Sequence, residues 1–332
     1  MKVRLIQYLH QELGYEVIAF ESSLLDCYLA NSMIPDLSPT EIMEHIFFSD
    51  IWHTEEVLPL FEYIKDTSSS HSPLILTGFD IFSSGEGLED GSIFFFSLLE
   101  GLDDHYASEI KTLEEIFESS SSLEEFLNKI NTTIGFHESI QAYDELASYI
   151  AQNQQALRQE NPAIPGLVEV ADQFAWSRAR SIEMIDNRAS FDDWGDSLKD
   201  RDTAMAVNIQ FLADELYPDK KIIVWAHNGH IAEKSWWSGS GVDNMGTYLD
   251  RYFSDDLFTI GLIGHRSADS YWSLENQLHL YGKPYLFVDL SSMGKSNDSS
   301  TTPTQILTAS KEYDALIFLD KITSHHVLGN DG

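Results

Sequence analysis

KIIVWAHNGH, residues 221–230, decides how this chain is read. Five residues dominated by apolar and β-branched side chains form a short buried strand, and the polar quartet His227-Asn228-Gly229-His230 follows at its end. In open α/β sheets the ligand crevice lies beyond the carboxyl ends of the strands, so this ending is a candidate site as well as a fold signal.

Working outward, the same kind of run recurs as VIAF (17–20), LILTGF (74–79), FTIGLIG (258–264), YLFVDL (285–290) and ALIFLD (315–320). Helical patterns separate these runs. Val3, Ile6, Leu9 and Leu13 form a first stripe that Gly14 stops, and further helices are expected at 22–31, 40–48 and 54–66. From about 92 to 216 the signal is almost wholly helical. One stripe there is Phe136, Ile140, Tyr143, Ala147, Ile150 and Leu157; a second is Leu167, Ala171, Phe174, Ile182 and Ile185; Met205, Ile209, Leu212 and Leu216 form a last one before Pro218.

Apolar strands alternating with helices imply an α/β fold with a mainly parallel sheet in a three-layer α/β/α core, carrying a large helical insertion. The expected division is 1–91 for the N-terminal part of the core, 92–199 for the helical lobe and 200–332 for the C-terminal part with the HNGH motif. SSMGKSNDSSTTPT (291–304) reads as a mobile surface loop.

The 54 acidic and 20 basic residues leave a net charge of −34, which makes nucleic acid and anionic membranes poor partners. Hydrophobic residues at 43%, spread along all 332 positions, describe a globular chain and not an acidic disordered one. With no apolar run of membrane-spanning length and no secretory leader at MKVRLIQYLHQELGYE, the expectation is a soluble, cytoplasmic protein. Cys27, the single cysteine, excludes an intrachain disulfide and a thiolate metal cluster, and its apolar setting suggests a buried, inert thiol.

Three ionisable side chains end three of the strands: Glu21 after VIAF, Asp80 after LILTGF, and His227 after IIVWA. They converge if those strands are neighbours. His227 and His230 stand about one helical turn apart, so they can act as general base and oxyanion donor, or bind zinc with a carboxylate such as Glu21 or Glu233. The spacing does not choose, and a purely structural reading makes His227 a core histidine bonded to backbone and His230 a helix cap. In LKDRDTAMA, Arg201 and Asp202 are expected at a helix start, where Asp202 suits the dipole. Trp236 and Trp237, followed by SGSG, can form an aromatic rim over a pocket or join the core. No GxGxxG, Walker loop, GxSxG elbow or HExxH occurs, which argues against common nucleotide enzymes, serine hydrolases and zincin proteases.

Taken in order, ELGYEVIAFES (12–22), TGFD (77–80), RDTAMAVNIQFL (201–212), VWAHNGHIAE (224–233) and MGTYLDRYFSDDLFTIGLIG (245–264) resemble the erythromycin esterase family, which includes proteins labelled as succinoglycan biosynthesis proteins. The resemblance runs along nearly the whole chain. It implies a hydrolase without cofactor or metal, in which a histidine base activates water against an ester or lactone carbonyl, over an α/β core partly covered by a helical lobe. By position, Glu21 matches the family's active-site glutamate, and His227 and His230 match its HNxH histidines. Lys2 stands where the family commonly has a cleft arginine, so that substrate contact is altered; Asp80, Arg201 and Trp236 complete the expected substrate-binding set.

The family's main catalytic histidine belongs to a GExxHG-like motif upstream of the helix with which this chain starts, and the sequence has no such motif. The expectation is therefore an incompletely competent enzyme, with N-terminal truncation the plainer explanation. The partner is expected to be a small-molecule ester or lactone, in an unspecified oligomeric state. Two other classes stay open: an inactive binding protein on the same fold, and a metal-dependent hydrolase using His227 and His230.

Overall fold

The computed structural model describes residues 1–46, 52–81, 92, 96, 101–120, 123–190, 194–234, 243–265, 273–291, 308–323 and 326–328. Backbone contacts divide the chain into two compact units, Met1–Trp225 with His325–Gly332, and Ala226–Ser324.

The first unit opens with α1 (Lys2–Leu13), which Gly14 ends in the left-handed conformation at φ 69°, its N–H returning to the Leu9 carbonyl. Then come β1 (Tyr15–Ser23), α2 (Leu24–Met33), α3 (Pro39–Ile46), α4 (Leu58–Thr67) and β2 (Ile75–Asp80). Next, among the described residues, come the helices α5 (Asp104–Glu118), α6 (Leu123–Thr133), α7 (Phe136–Glu160), α8 (Leu167–Ser190) and α9 (Trp194–Phe211). A π-helical turn at Leu212–Leu216 leads to β3 (Lys221–Trp225).

The strands pair in the order β2-β1-β3, all parallel, with Ile18 opposite both Leu76 and Ile223. Parallel strands need cover on both faces, and the sequence supplies it. Ile18, Phe20, Leu76 and Trp225 join one core with Ile6, Cys27, Ile42, Met43, Phe61 and Ile64 from α1 to α4. Val17, Ala19 and Phe79, on the alternate face, are equally buried. Cys27 is fully buried, and burial pushes its thiol far above the ordinary range. That is the inert thiol expected.

The helical insertion is real, and its stripes are mostly as read: Leu167, Ala171, Phe174, Ile182 and Ile185 are all buried on α8. On α7 the buried stripe is rotated toward Ser139, Ala142, Tyr143, Leu146 and Ile150, leaving Phe136, Ile140 and Ala147 half-buried. The shift serves a polar core. Arg178 of α8 makes hydrogen bonds of 2.9–3.2 Å to Glu114 of α5, and the Tyr143 hydroxyl donates to Glu114 Oε1 at 2.5 Å. Phe117 and Phe174 lie against the guanidinium at 4.2 and 4.8 Å.

One reading is corrected. Arg201 and Asp202 do not start a helix, because α9 begins at Trp194 and carries them in its interior. The polar stretch SLKDRD contains no Pro or Gly, so nothing in it interrupts a helix, and Arg201 is polar for a tertiary reason given below.

The second unit holds α10 (Asn228–Ile231), α11 (Met245–Phe253), β4 (Ile260–Gly264), α12 (Leu274–His279), β5 (Tyr285–Asp289) and β6 (Ala315–Leu319). Its strands form a separate sheet ordered β4-β6-β5, in which β4 and β6 are parallel and β5 runs antiparallel at the edge. All six strands expected from the apolar runs are present, distributed over two sheets. The loop expected at 291–304 and the rim expected at Trp236 and Trp237 lie outside the described residues, except Ser291. Among the described residues no helix is long and apolar enough to cross a membrane.

Candidate active site

In the first unit, the carboxyl ends of β1 and β2 bring Glu21 and Asp80 to one cation. Arg201, reaching from α9, donates from Nε to Asp80 Oδ1 at 3.2 Å and from Nη2 to Asp80 Oδ2 at 2.5 Å. The same Nη2 donates to Glu21 Oε1 at 3.0 Å. The side chains are 19% (Arg201), 13% (Glu21) and 5% (Asp80) exposed, so the cluster is largely withdrawn from water. Burial pulls the Arg201 proton affinity down, but Asp80 and then Glu21 outweigh it, and the net direction is upward. Two turns further along α9, Asn208 donates to the Phe79 carbonyl at 2.9 Å, so one polar edge of this helix holds the end of β2 twice.

The local backbone explains TGFD. The pairing of β1 with β2 is irregular between Phe20 and Ser23, where β1 bulges past Glu21. A Cβ at Gly78 would lie 2.4 Å from the carbonyl oxygens of both Ser22 and Ser23, so only glycine lets the bulge close on β2.

Lys2 of α1 completes this group. Its Nζ stands 4.2 Å from the Trp225 ring centroid and 5.3 Å from that of Trp52. Burial lowers its pKa to about 8, against the opposing pull of the Glu21 carboxylate. Trp225 in turn packs on Phe20 and, edge to face, on Trp52, each at 5.5 Å between centroids. Sequence patterning does not mark the indoles of Trp52 and Trp225 as site groups; the one available signal is that Trp225 ends a strand.

In the second unit, His227 precedes the single helical turn of α10 and His230 lies within it. His227, and not His230, is the cap: its Nδ1 accepts from the Gly229 N–H at 3.1 Å. A neutral ring whose Nδ1 accepts carries its proton on Nε2, which makes that nitrogen a donor. His227 is exposed and His230 half-buried, with the rings 6.4 Å apart and inclined at 73°.

The turn is held by amides. Asn228 donates from Nδ2 to the Leu262 carbonyl at 2.6 Å, and its Oδ1 accepts the Leu262 N–H at 3.2 Å, as a neighbouring strand would. A Cβ at Gly246 would lie 2.2 Å from the Ile231 carbonyl oxygen, which accounts for the glycine of MGTYLD. Just beyond the turn, Glu233 is raised to about 7 by burial and by the neighbouring Asp314 carboxylate. Among the described residues no group of three or more His, Cys, Asp or Glu side chains is gathered so as to hold a metal ion, so the zinc alternative has no ligand set there.

Lys2, Glu21, Asp80 and Arg201 are thus gathered in one unit, and His227 and His230 stand together in the other. Comparison with known proteins adds a second line of observation. The profile described as "Erythromycin esterase" matches residues 10–322. A Bacillus subtilis (strain 168) protein named "Putative hydrolase YbfO" is 30% identical, over 97% of this chain and 80% of its own length. Among solved structures, a Bacillus cereus protein and a succinoglycan biosynthesis protein each give a TM-score of 0.75 at 16% identity, over 98% of this chain. They are covered over 86% and 84% of their lengths, respectively. The erythromycin esterase EreC, as a histidine-to-asparagine variant in its open conformation, gives 0.66 at 14% identity, over 99% of this chain and 87% of its own. At such identities these structures establish a shared fold.

Proposed function

Because the chain belongs to the erythromycin esterase family, we propose that it hydrolyses an ester or lactone bond of a small molecule by attack of water on the carbonyl carbon. The observation that supports this most directly is the hydrogen bond from the Gly229 N–H to His227 Nδ1, which leaves a neutral ring its proton on Nε2. A donor at Nε2 suits the oxyanion that forms as water adds, and such a donor is worth about 10²–10³ in rate in other hydrolases.

In this reading His230 takes the general-base role, which the family resemblance gives to the histidine of a GExxHG-like motif that this sequence does not contain, and passes the proton of the attacking water to the leaving oxygen. Lys2 contacts the substrate, and its altered identity from the family's arginine makes that contact titratable. Glu21 has a catalytic role of its own in this reading, and Asp80 and Arg201 act on it as positioning residues, because the Arg201 donors seen here are engaged by the two carboxylates. A cationic substrate is favoured by the net charge of −34.

The test is hydrolysis of a panel of small esters and macrolides. Measurable turnover that falls at least about 100-fold in both His227→Ala and Glu21→Ala supports the reading. Turnover unaffected by either substitution would refute the assignment of residues, and saturable binding of these compounds with no turnover would make the chain a binding protein.

A further inference from the structure

Asn244 stands 14 residues beyond His230, outside every segment considered for chemistry above, yet it is 1% exposed. Its Oδ1 accepts from the Thr247 N–H at 3.2 Å and from the Thr247 hydroxyl at 2.6 Å, which caps α11. Its Nδ2 turns the other way and donates to the Gly229 carbonyl at 2.6 Å. One buried amide therefore serves two elements through two different atoms.

Gly229 is the hub of the histidine turn. Its N–H is the donor that sets His227 Nδ1, and its carbonyl belongs to the peptide that leads into His230. The Ala232 N–H closes on the Asn228 carbonyl, but the next one, of Glu233, turns away to the Glu312 carbonyl at 2.9 Å, so the Gly229 oxygen depends on an outside donor. Asn244 supplies it, while Asn228 fixes the preceding residue to β4.

We propose that Asn244 is a positioning residue for the His227–His230 pair: by holding the Gly229 carbonyl it fixes the turn that places both imidazoles and keeps His227 in its Nε2–H form. This deepens the hydrolase reading and rests on it. The role is separable from helix capping because the two use different atoms. Asn244→Asp keeps an oxygen for Thr247 and is as good a cap, but it replaces the donor facing Gly229 with an acceptor. Asn244→Ser also keeps a capping oxygen and lacks the reach to Gly229.

The experiment compares the parent, both Asn244 variants and His227→Ala, with thermal unfolding to confirm folding, ester hydrolysis for kcat and KM, and imidazole 15N spectra. The expected result is a 10- to 100-fold loss of kcat in each Asn244 variant with KM within about threefold, since small misplacements of reacting groups cost on this scale. The His227 spectrum should also move from the Nε2–H tautomer toward a mixture. Folded Asn244→Asp and Asn244→Ser proteins with parental kcat and an unchanged His227 tautomer would overturn the proposal and leave Asn244 a helix cap. If His227→Ala retains parental activity, the role given to His227 in hydrolysis fails, and if the parent itself shows no turnover the hydrolase reading fails; in both cases the tautomer measurement still decides whether Asn244 sets the turn.

Discussion

Replacing Arg201 by methionine should cost the first unit about 3–5 kcal/mol, and the figure can be worked from the geometry. Glu21 Oε1 and Asp80 Oδ2 accept from the same nitrogen at 3.0 and 2.5 Å, so the two oxygens are at most about 5.5 Å apart. Without the guanidinium, two carboxylates at that separation repel by about 3 kcal/mol at an effective dielectric of 20, and each also loses its charged donor. With only 13% and 5% exposure they recover little from water. Urea unfolding followed by tryptophan fluorescence reads the change, because Trp52 and Trp225 lie in the same unit. The double variant Arg201→Met, Asp80→Asn removes one of the two charges and should recover at least about half of the loss. A loss below about 1 kcal/mol in the single variant, or a double variant no more stable than the single, would refute the view that Arg201 holds these carboxylates together.

Three further outcomes follow from other parts of the molecule. Arg178→Met strands the fully buried Glu114 in the helical insertion and should cost about 3–5 kcal/mol, whereas replacing Glu114 by leucine in the same chain should restore most of it, as a double-mutant cycle in urea will show. Lys2, with its pKa at about 8, should lose its charge across the range in which activity is assayed; KM is expected to rise as pH passes 8, and Lys2→Arg should flatten that profile. Glu233 has its folded value raised from 4.5 to about 7, so the folded state binds more protons in that window and stability falls as pH rises through it. Glu233→Gln should remove that component of the slope between pH 4.5 and 7, and an unchanged slope in thermal unfolding against pH would count against the carboxyl pair with Asp314.

Several features of the site are legible in the sequence. Glu21 and Asp80 end apolar runs, and the runs are strands whose carboxyl ends meet. The HNGH quartet stood out because it follows a strand and pairs two imidazoles with a glycine. Arg201 and Asp202 imitate a helix start, because local polarity near an apolar stripe resembles a cap, although both lie inside α9. Their polarity has a distant cause: Arg201 answers carboxylates 121 and 180 residues away. Asn244 carried a faint signal, an amide just before a helix with Thr247 three residues on, but nothing local reveals that its second atom reaches Gly229.

By itself, the sequence determined the six strands, most helices, the stop at Gly14, the burial of Cys27 and, through five ordered segments, the family. These depend on periodicity, breakers and residue type within a window of one element, where the chain is its own context. Only the tertiary structure decided that the strands divide into two sheets with β5 antiparallel, that His227 and not His230 is the cap, and that one guanidinium joins Glu21 to Asp80. Those outcomes depend on which distant groups satisfy one another's hydrogen bonds and charges once water is removed, and no local pattern encodes the partner.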